Sequence, residues 1–276
     1  MGKRCHTGEC GEIEIARGGI HRSGSRHARL RVRRPRPSLE SGRHRFPRRI
    51  FPAPARSIDR VKLVVTAGPT REPIDPVRFL SNRSSGKMGY AIASAAIEAN
   101  HEVVLISGPV NLAPPAGAKL VNVITADEMH AAVHEAVHDC DVLVMCAAVS
   151  DYKPAHVAEQ KIKKRDEKFS LELIPARDIL KSLPPSRNFF AVGFAAETND
   201  VEEHARAKLA TKNCDMMVAN DLSDPDIGME SDENAVTIFS RGGESETISR
   251  TSKKIIAREL VKIICRNAKK VLTKKF

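Results

Sequence analysis

No tryptophan occurs among the 276 residues, and aromatic side chains make up only 4% of them. A core built on stacked rings is excluded. The 41% apolar content falls to Ala, Val, Ile and Leu, the interior composition of an α/β protein. No run approaches the ~18 consecutive apolar residues that cross a bilayer, so no membrane partner is expected. Cysteines are few and far apart, at positions 5, 10, 140, 146, 214 and 265. Such spacing builds no disulfide framework, and Cys5-His6 with Cys10 completes no zinc pattern. These read as reduced, mostly buried thiols of a cytoplasmic protein.

Acidic residues are scarce only locally. The chain holds 45 Lys/Arg against 34 Asp/Glu, a net charge of +11. Residues 1–58 carry 15 of the basic and 4 of the acidic residues, which leaves 30 of each in residues 59–276. The bulk of the chain is neutral and shows no nucleic-acid footprint. Residues 1–58 are rich in Arg, Pro, Gly and Ser, without apolar periodicity. They read as a disordered extension, with a nucleic-acid arm or a targeting segment as alternatives. Residues 59–276 read as one globular domain.

That domain is organised around residues 61–90. The β-branched run Val61–Thr66 predicts a strand, Gly68-Pro69 a turn, and a long polar loop leads to Ser84-Ser85-Gly86-Lys87. The small-residue segment after it predicts a helix from about 87 to 100. A helix start presents unpaired N–H groups and partial positive charge, which suits an anion. Gly86 and Gly89 would let the backbone approach it, with Ser84, Ser85 and Lys87 as further donors. Two signatures are missing. The phosphate-loop pattern fails at Ser81 and Met88, and the dinucleotide pattern keeps only Gly86 and Gly89.

Beyond this stretch, strands are predicted at 101–109, 120–126, 141–149, 189–197, 216–221 and 235–239. Helices are predicted after Asp127, read as a cap, over Val201–Lys212, and in the apolar stripe of the C-terminus. The alternation predicts a Rossmann-like, doubly wound, mostly parallel sheet. Residues 150–180 break the rhythm and predict a small antiparallel β insertion at the sheet's C-terminal rim. His134-Glu135-Ala136-Val137-His138 fits the zinc-protease pattern. The buried stripe of that helix falls on Met129, Val133 and Val137, so the histidines are expected on a solvated face and no metal site is assigned.

Several stretches together resemble one family: VTAGPTREPIDPVRFLSNRSSGKMG, SGPV, CAAVSDYKP, KIKK, VGFAAET, and KLATKNCDMMVAND followed by SDENAV. They are similar, in order and spacing over roughly residues 61–265, to the bacterial phosphopantothenate–cysteine ligases. These form the ligase part of the bifunctional coenzyme A biosynthesis protein. The basic segment stands where many bacterial relatives carry a flavin-dependent decarboxylase domain. The resemblance implies a ligase unrelated to the ATP-grasp enzymes. The carboxylate of 4′-phosphopantothenate attacks the α-phosphate of CTP, with Mg²⁺ accompanying the triphosphate. L-cysteine then attacks the acyl-cytidylate, which gives 4′-phosphopantothenoylcysteine, CMP and pyrophosphate.

By the same resemblance, Asn82 handles the acyl intermediate and Lys161 stabilises the phosphates. Met145, Cys146 and Ala147 offer main-chain contacts to CTP, and Asp151 an acidic one. Arg177, Asp178, Ile179 and Leu180 form a further nucleotide contact, although Ala176-Arg177 replaces the family's Asn-Pro. Phe194 contacts the base, and Lys208 and Lys212 bind CTP. Gly68, Asn82, Ser84, Ser85, Gly86 and Lys87 bind the acid substrate. The implied assembly is a homodimer in which the 150–180 insertion completes the neighbour's site. By residue type alone the Lys161–Lys164 run is also a plausible solvated face, and Phe194 a core residue. The alternatives are the same ligation driven by ATP, or a Rossmann-like binding protein without catalysis.

Overall fold

The computed structural model describes residues 60–164, 166, 168–197, 200–221 and 230–273. The segment 1–58 lies outside the described residues. In chain order the elements begin with β1 (Lys62–Ala67), β2 (Arg71–Pro73), β3 (Phe79–Ser81), α1 (Lys87–Glu98), β4 (Glu102–Ser107), β5 (Lys119–Asn122) and α2 (Ala126–Ala136). Next come β6 (Val142–Met145), β7 (Tyr152–Pro154), β8 (Leu173–Pro175), α3 (Ile179–Ser182), β9 (Phe190–Glu197) and α4 (Val201–Thr211). The chain continues through β10 (Met216–Asp221), β11 (Glu233–Ser240), β12 (Ser245–Ser252) and α5 (Lys253–Leu272).

Eight strands pair in the order β12-β11-β10-β9-β6-β1-β4-β5. The six from β10 to β5 run parallel, and β11 and β12 extend the sheet antiparallel. The expected doubly wound, mostly parallel sheet is what the chain adopts. The 150–180 interval holds the antiparallel pair β7–β8. Helices cover both faces, which is why central strands read as unbroken apolar runs. Leu63, Val64 and Val65 of β1 are all fully buried. Leu63 and Val65 pack in the cluster beneath α1 and α5, and Val64 in the cluster beneath α2. A third cluster joins α4 to β9, β10 and β11. Truncating one of these side chains to Ala costs about 2–5 kcal/mol in transfer and cavity terms.

Several local expectations differ from the structure, among them the strand expected over 141–149, which ends at Met145. The strand expected over 120–126 ends at Asn122, and Asp127 is not the cap of α2. Thr125 is the cap: its hydroxyl accepts from the Glu128 N–H at 3.2 Å, while the Glu128 carboxylate accepts from the Ile124 N–H at 2.6 Å. The spacing is that of a capping box, with the glutamate bonding the residue before the cap in place of the cap itself. β12 was not expected, because SETISRTS offers one apolar residue to a period-2 reading. Gly242-Gly243, with Gly243 at φ +90°, is the hairpin signal that marks it. Finally, the apolar stripe expected at the C-terminus is not wholly covered, since Ile255 of α5 is 49% exposed.

Candidate functional site

From β1 the chain winds outward through β4 to β5, then returns to β6 and winds the other way to β9 and β10. The strand order therefore reverses between β1 and β6. In doubly wound sheets the crevice beyond the C-terminal ends of such strands is where ligands bind.

Two hydroxyls build the floor of that crevice. The fully buried Thr66 accepts from the backbone N–H groups of Cys146 and Ala147, each at 3.1 Å. The Thr70 hydroxyl accepts from the Ser150 N–H at 3.0 Å. Between them the Ala148 N–H donates to the Gly68 carbonyl at 2.9 Å. The Ala148 carbonyl accepts from the Thr70 N–H at 3.2 Å and from Asn82 Nδ2 at 3.0 Å. Residues 146–150 are thus tied along their length to the loop after β1. The N–H groups of Cys146 and Ala147 are thus taken by Thr66 and are not left to donate elsewhere.

On the α2 and α4 side of this loop lies a cavity of about 300 Å³. Met145, Ala147 and Asp151 line its rim, Arg177 to Leu180 one wall, and Lys208 and Lys212 of α4 the other. Of the twelve residues expected at the nucleotide, ten line it; Cys146 and Lys161 do not. The Cys146 side chain packs on the opposite face, and burial pushes its thiol up to about 12. Phe194 reaches the cavity, but its side chain packs with the cluster beneath α1 and α5. Its neighbour Gly193 faces the cavity side instead. A Cβ there would meet the Met217 Sδ at 3.1 Å and the Cys214 Sγ at 3.2 Å.

Lys212 and Asp178 pair across this cavity at 2.5 Å. Burial alone would raise the Asp178 carboxyl. The Lys212 ammonium and the Lys181 N–H outweigh it and hold the group below its ordinary value. Arg177 faces Asp127 at 3.9 Å. Asp127 also takes the Lys153 ammonium, which lowers its carboxyl.

Lys161 sits on an exposed loop whose anchor sequence reasoning missed. The next residue, Ile162, donates its N–H to Asp75 Oδ2 at 3.1 Å, and its carbonyl accepts from Arg78 at 2.9 Å. Asp75 also accepts from the Val77 and Arg78 N–H groups. The Arg78 guanidinium beside it holds its carboxyl far below the carboxylate range. An Asp three residues before an Arg in a Pro-flanked loop was the available signal.

The α1 N-terminus has the expected form, with Gly89 and Lys87 reassigned. Gly86 caps it at φ +77°, no side chain closes it, and its first turn holds no acidic residue. By contrast, the start of α2 is filled by Thr125 and by Glu72, whose carboxylate accepts from the Ala126 N–H at 2.9 Å. Gly68 (φ +75°) and Gly86 pack together under Val110, where a Cβ on either would come within 2.8 Å of Val110 Cγ1. Ser84 and Ser85 are half-buried beside them. Gly89, read as room for a ligand, instead lets α1 rest on β1. A Cβ there would lie 2.6 Å from Ala67 Cβ and 2.9 Å from the Thr66 carbonyl. Lys87 turns to the Glu230 carbonyl and Asp232, both at 2.7 Å.

The two histidines of α2, His130 and His134, are half-exposed and meet α3. His130 and His134 stack at 4.2 Å and share the Ser182 hydroxyl of α3, at 3.1 and 2.8 Å. His138 is exposed in the turn that follows. Among the described residues no three His, Cys, Asp or Glu side chains converge as a metal site.

Residues 58–267 match the family described as the DNA/pantothenate metabolism flavoprotein C-terminal domain. Coenzyme A biosynthesis bifunctional protein CoaBC of Vibrio vulnificus is 45% identical over 206 residues, covering 73% of this chain and 51% of that protein. The Escherichia coli K12 protein of the same name is 45% identical over 197 residues, 70% of this chain and 48% of its own. This chain thus spans about half the length of the curated relatives it matches. The crystal structure of the C-terminal domain of CoaBC superposes with a TM-score of 0.64 at 42% identity, covering 75% of this chain and 94% of that one. A Cab2 mutant in complex with phosphopantothenate-cysteine shares the fold at a TM-score of 0.64 and 17% identity, covering 79% and 90%.

Proposed function

The chain belongs to the DNA/pantothenate metabolism flavoprotein C-terminal domain family, and from that membership we propose that it joins 4′-phosphopantothenate to L-cysteine at the expense of CTP, in coenzyme A biosynthesis. The observation that carries this reading is the loop 146–150. One side of it lines the cavity that holds Asp151, Asp178, Lys208 and Lys212, and the other accepts a hydrogen bond from Asn82. An acid activated on a nucleotide needs such an arrangement, because both reactants are polyanions that must lie side by side.

The nucleotide would enter the α2/α4-side cavity, its charge met by Lys208, Lys212 and Arg177, with Lys161 closing from its loop. Asp178 holds Lys212 in place until phosphate oxygens compete for it. The acid's carboxylate would lie at the β1/β6 crevice against Asn82 and the uncapped start of α1. There the Asn82 amide can donate to the acyl oxygen as charge builds on it. Cysteine's amine then takes the acyl carbon and the nucleoside monophosphate leaves. Magnesium would arrive with the triphosphate and neutralise its charge, with Asp151 the exposed carboxylate at the cavity rim able to face it.

A second copy of the chain is the proposed partner. Tyr152, Leu173 and Ile174 of β7–β8 are exposed, and Phe169 beside them is 62% exposed. A surface this apolar on a rim insertion suits a homodimer contact.

The test is incubation with CTP, L-cysteine and 4′-phosphopantothenate while pyrophosphate is followed, with ATP in competition. CTP-dependent release that needs both other substrates is expected, with CMP formed in step. Release driven by ATP in preference would reassign the nucleotide. The absence of release with either would overturn the ligase reading.

A further inference from the structure

The zinc-protease motif of the sequence pairs His134 with His138. The structure pairs His134 with His130 instead, one turn earlier on α2. Both present Nε2 to a single point, the Ser182 hydroxyl of α3, at 2.8 and 3.1 Å. Their rings stack at 4.2 Å with 28° between the planes. His138 lies beyond the end of α2 and is exposed. Glu135, the motif's base, is exposed and turned about 100° around the helix from His134.

The bonding of the hydroxyl decides what this pair can do. Ser182 donates its proton to the Ile179 carbonyl at 2.7 Å. A hydroxyl has one proton and two lone pairs, so the lone pairs are left to the imidazoles. Each neutral ring therefore meets the hydroxyl as Nε2–H and keeps Nδ1 as an acceptor. Moving that proton to Nδ1 leaves two nitrogens and one oxygen as inward lone-pair donors, with no change in charge. A tetrahedral ion with bonds of about 2.1 Å holds its ligands about 3.4 Å apart, so the oxygen needs to move off the nitrogens by only about 0.3–0.6 Å. The nearby cations, Lys153 and Arg177, are turned to Asp127 at 2.5 and 3.9 Å, and its negative charge offsets theirs. Burial, with the neighbouring His134 and Arg177, also holds His130 below its ordinary value, so no proton occupies the second nitrogen at neutral pH.

We propose that His130 and His134, with the Ser182 hydroxyl, bind one divalent ion of the zinc class, with water completing its shell. Imidazole nitrogen suits Zn²⁺, Ni²⁺ or Cu²⁺, whereas Mg²⁺ and Ca²⁺ take oxygen ligands. This ion is therefore distinct from one that accompanies a nucleotide. Its position defines its role. Asp178 caps the start of α3, and Ser182 is the last residue of that helix. Residues 177–180 between the loop and the helix wall the cavity already described. An ion held at Ser182 ties α3 to α2 and fixes that wall from outside. With Glu135 directed elsewhere, the site is a staple and not a hydrolytic centre.

The experiment is calorimetric titration of the full chain with ZnCl₂, without nucleotide or substrate, in wild type, His134→Gln, His138→Ala and Ser182→Ala. Gln keeps a donor for Ser182 at the same reach but is a poor zinc ligand, so it separates the metal from the hydrogen bond. Zinc held elsewhere on the chain is common to all four proteins and cancels in the comparison. Losing even an outer-shell partner costs about 10- to 100-fold in metal affinity. His134→Gln is expected to weaken one site by at least that lower figure, Ser182→Ala by less, and His138→Ala not at all. Melting curves without zinc report folding, and His130→Gln reads the same site if His134→Gln does not fold. Equal zinc binding in wild type and His134→Gln, loss in His138→Ala instead, wild-type affinity in Ser182→Ala, or displacement by equimolar Mg²⁺ would each overturn the proposal. Pyrophosphate release enters none of these readings, so the outcome is independent of the ligase assignment.

Discussion

Asp178 illustrates how one residue serves fold and site together. Its side chain caps α3 by accepting from the Lys181 N–H at 3.1 Å, and it pairs with Lys212. Asn caps a helix start as well as Asp does, so Asp178→Asn isolates the pairing with Lys212 and should lower stability modestly at neutral pH. The sign with pH follows from its depressed carboxyl. Such a group contributes stability above its unfolded value, near 3.8, and loses that contribution as pH falls through the folded value. Urea midpoints of wild type and variant should differ at pH 7 and converge below about pH 4. A gap that persists at acid pH would assign the effect to packing. Asp75 was legible only as a turn residue, because a sequence does not show that its carboxylate also accepts from the distant Ile162 N–H.

Among the elements, α1 is the one whose placement the site depends on. Its start is open because Gly86 leaves it without a side-chain cap, and its position on β1 depends on Gly89. Gly89→Ala would push a methyl into Ala67 and the Thr66 carbonyl, which are backbone-anchored and cannot move aside. Overpacking of this kind costs about 1–3 kcal/mol. It should also shift α1 away from the crevice, so the expected result is a lower melting temperature with reduced turnover. An unchanged melt with reduced turnover would return Gly89 to a ligand role. The expectation for this glycine failed because glycines that admit a ligand and glycines that admit a strand look alike in sequence. β5 and β12 were misjudged for a related reason. Ile124 continues an apolar run yet is 55% exposed, since Thr125 has already begun the helix.

At the scale of the whole molecule, the apolar rim of β7–β8 predicts association. Leu173→Glu and Ile174→Glu together should convert a dimer to a monomer in sedimentation velocity. Turnover should fall at least about tenfold if the neighbour completes the site, since incomplete positioning is costly in rate. A monomeric wild type, or full activity in a monomeric variant, would remove the second copy from the mechanism.

The strand–helix alternation, the parallel sheet and the anion-ready turn at Ser84–Gly86 were all determined by the sequence, because each is a local pattern of apolar period and turn chemistry. The ten cavity-lining residues were marked by motif resemblance. Only the tertiary structure decided which groups meet. It brought Thr66 and Thr70 under the 146–150 loop, pinned Ile162 to Asp75, moved Lys87 to Asp232 and set His130 and His134 on Ser182. Those contacts join residues dozens to well over a hundred positions apart. Long-range pairing of that kind follows from how the sheet folds back at β1 and β6, and local sequence carries no record of it.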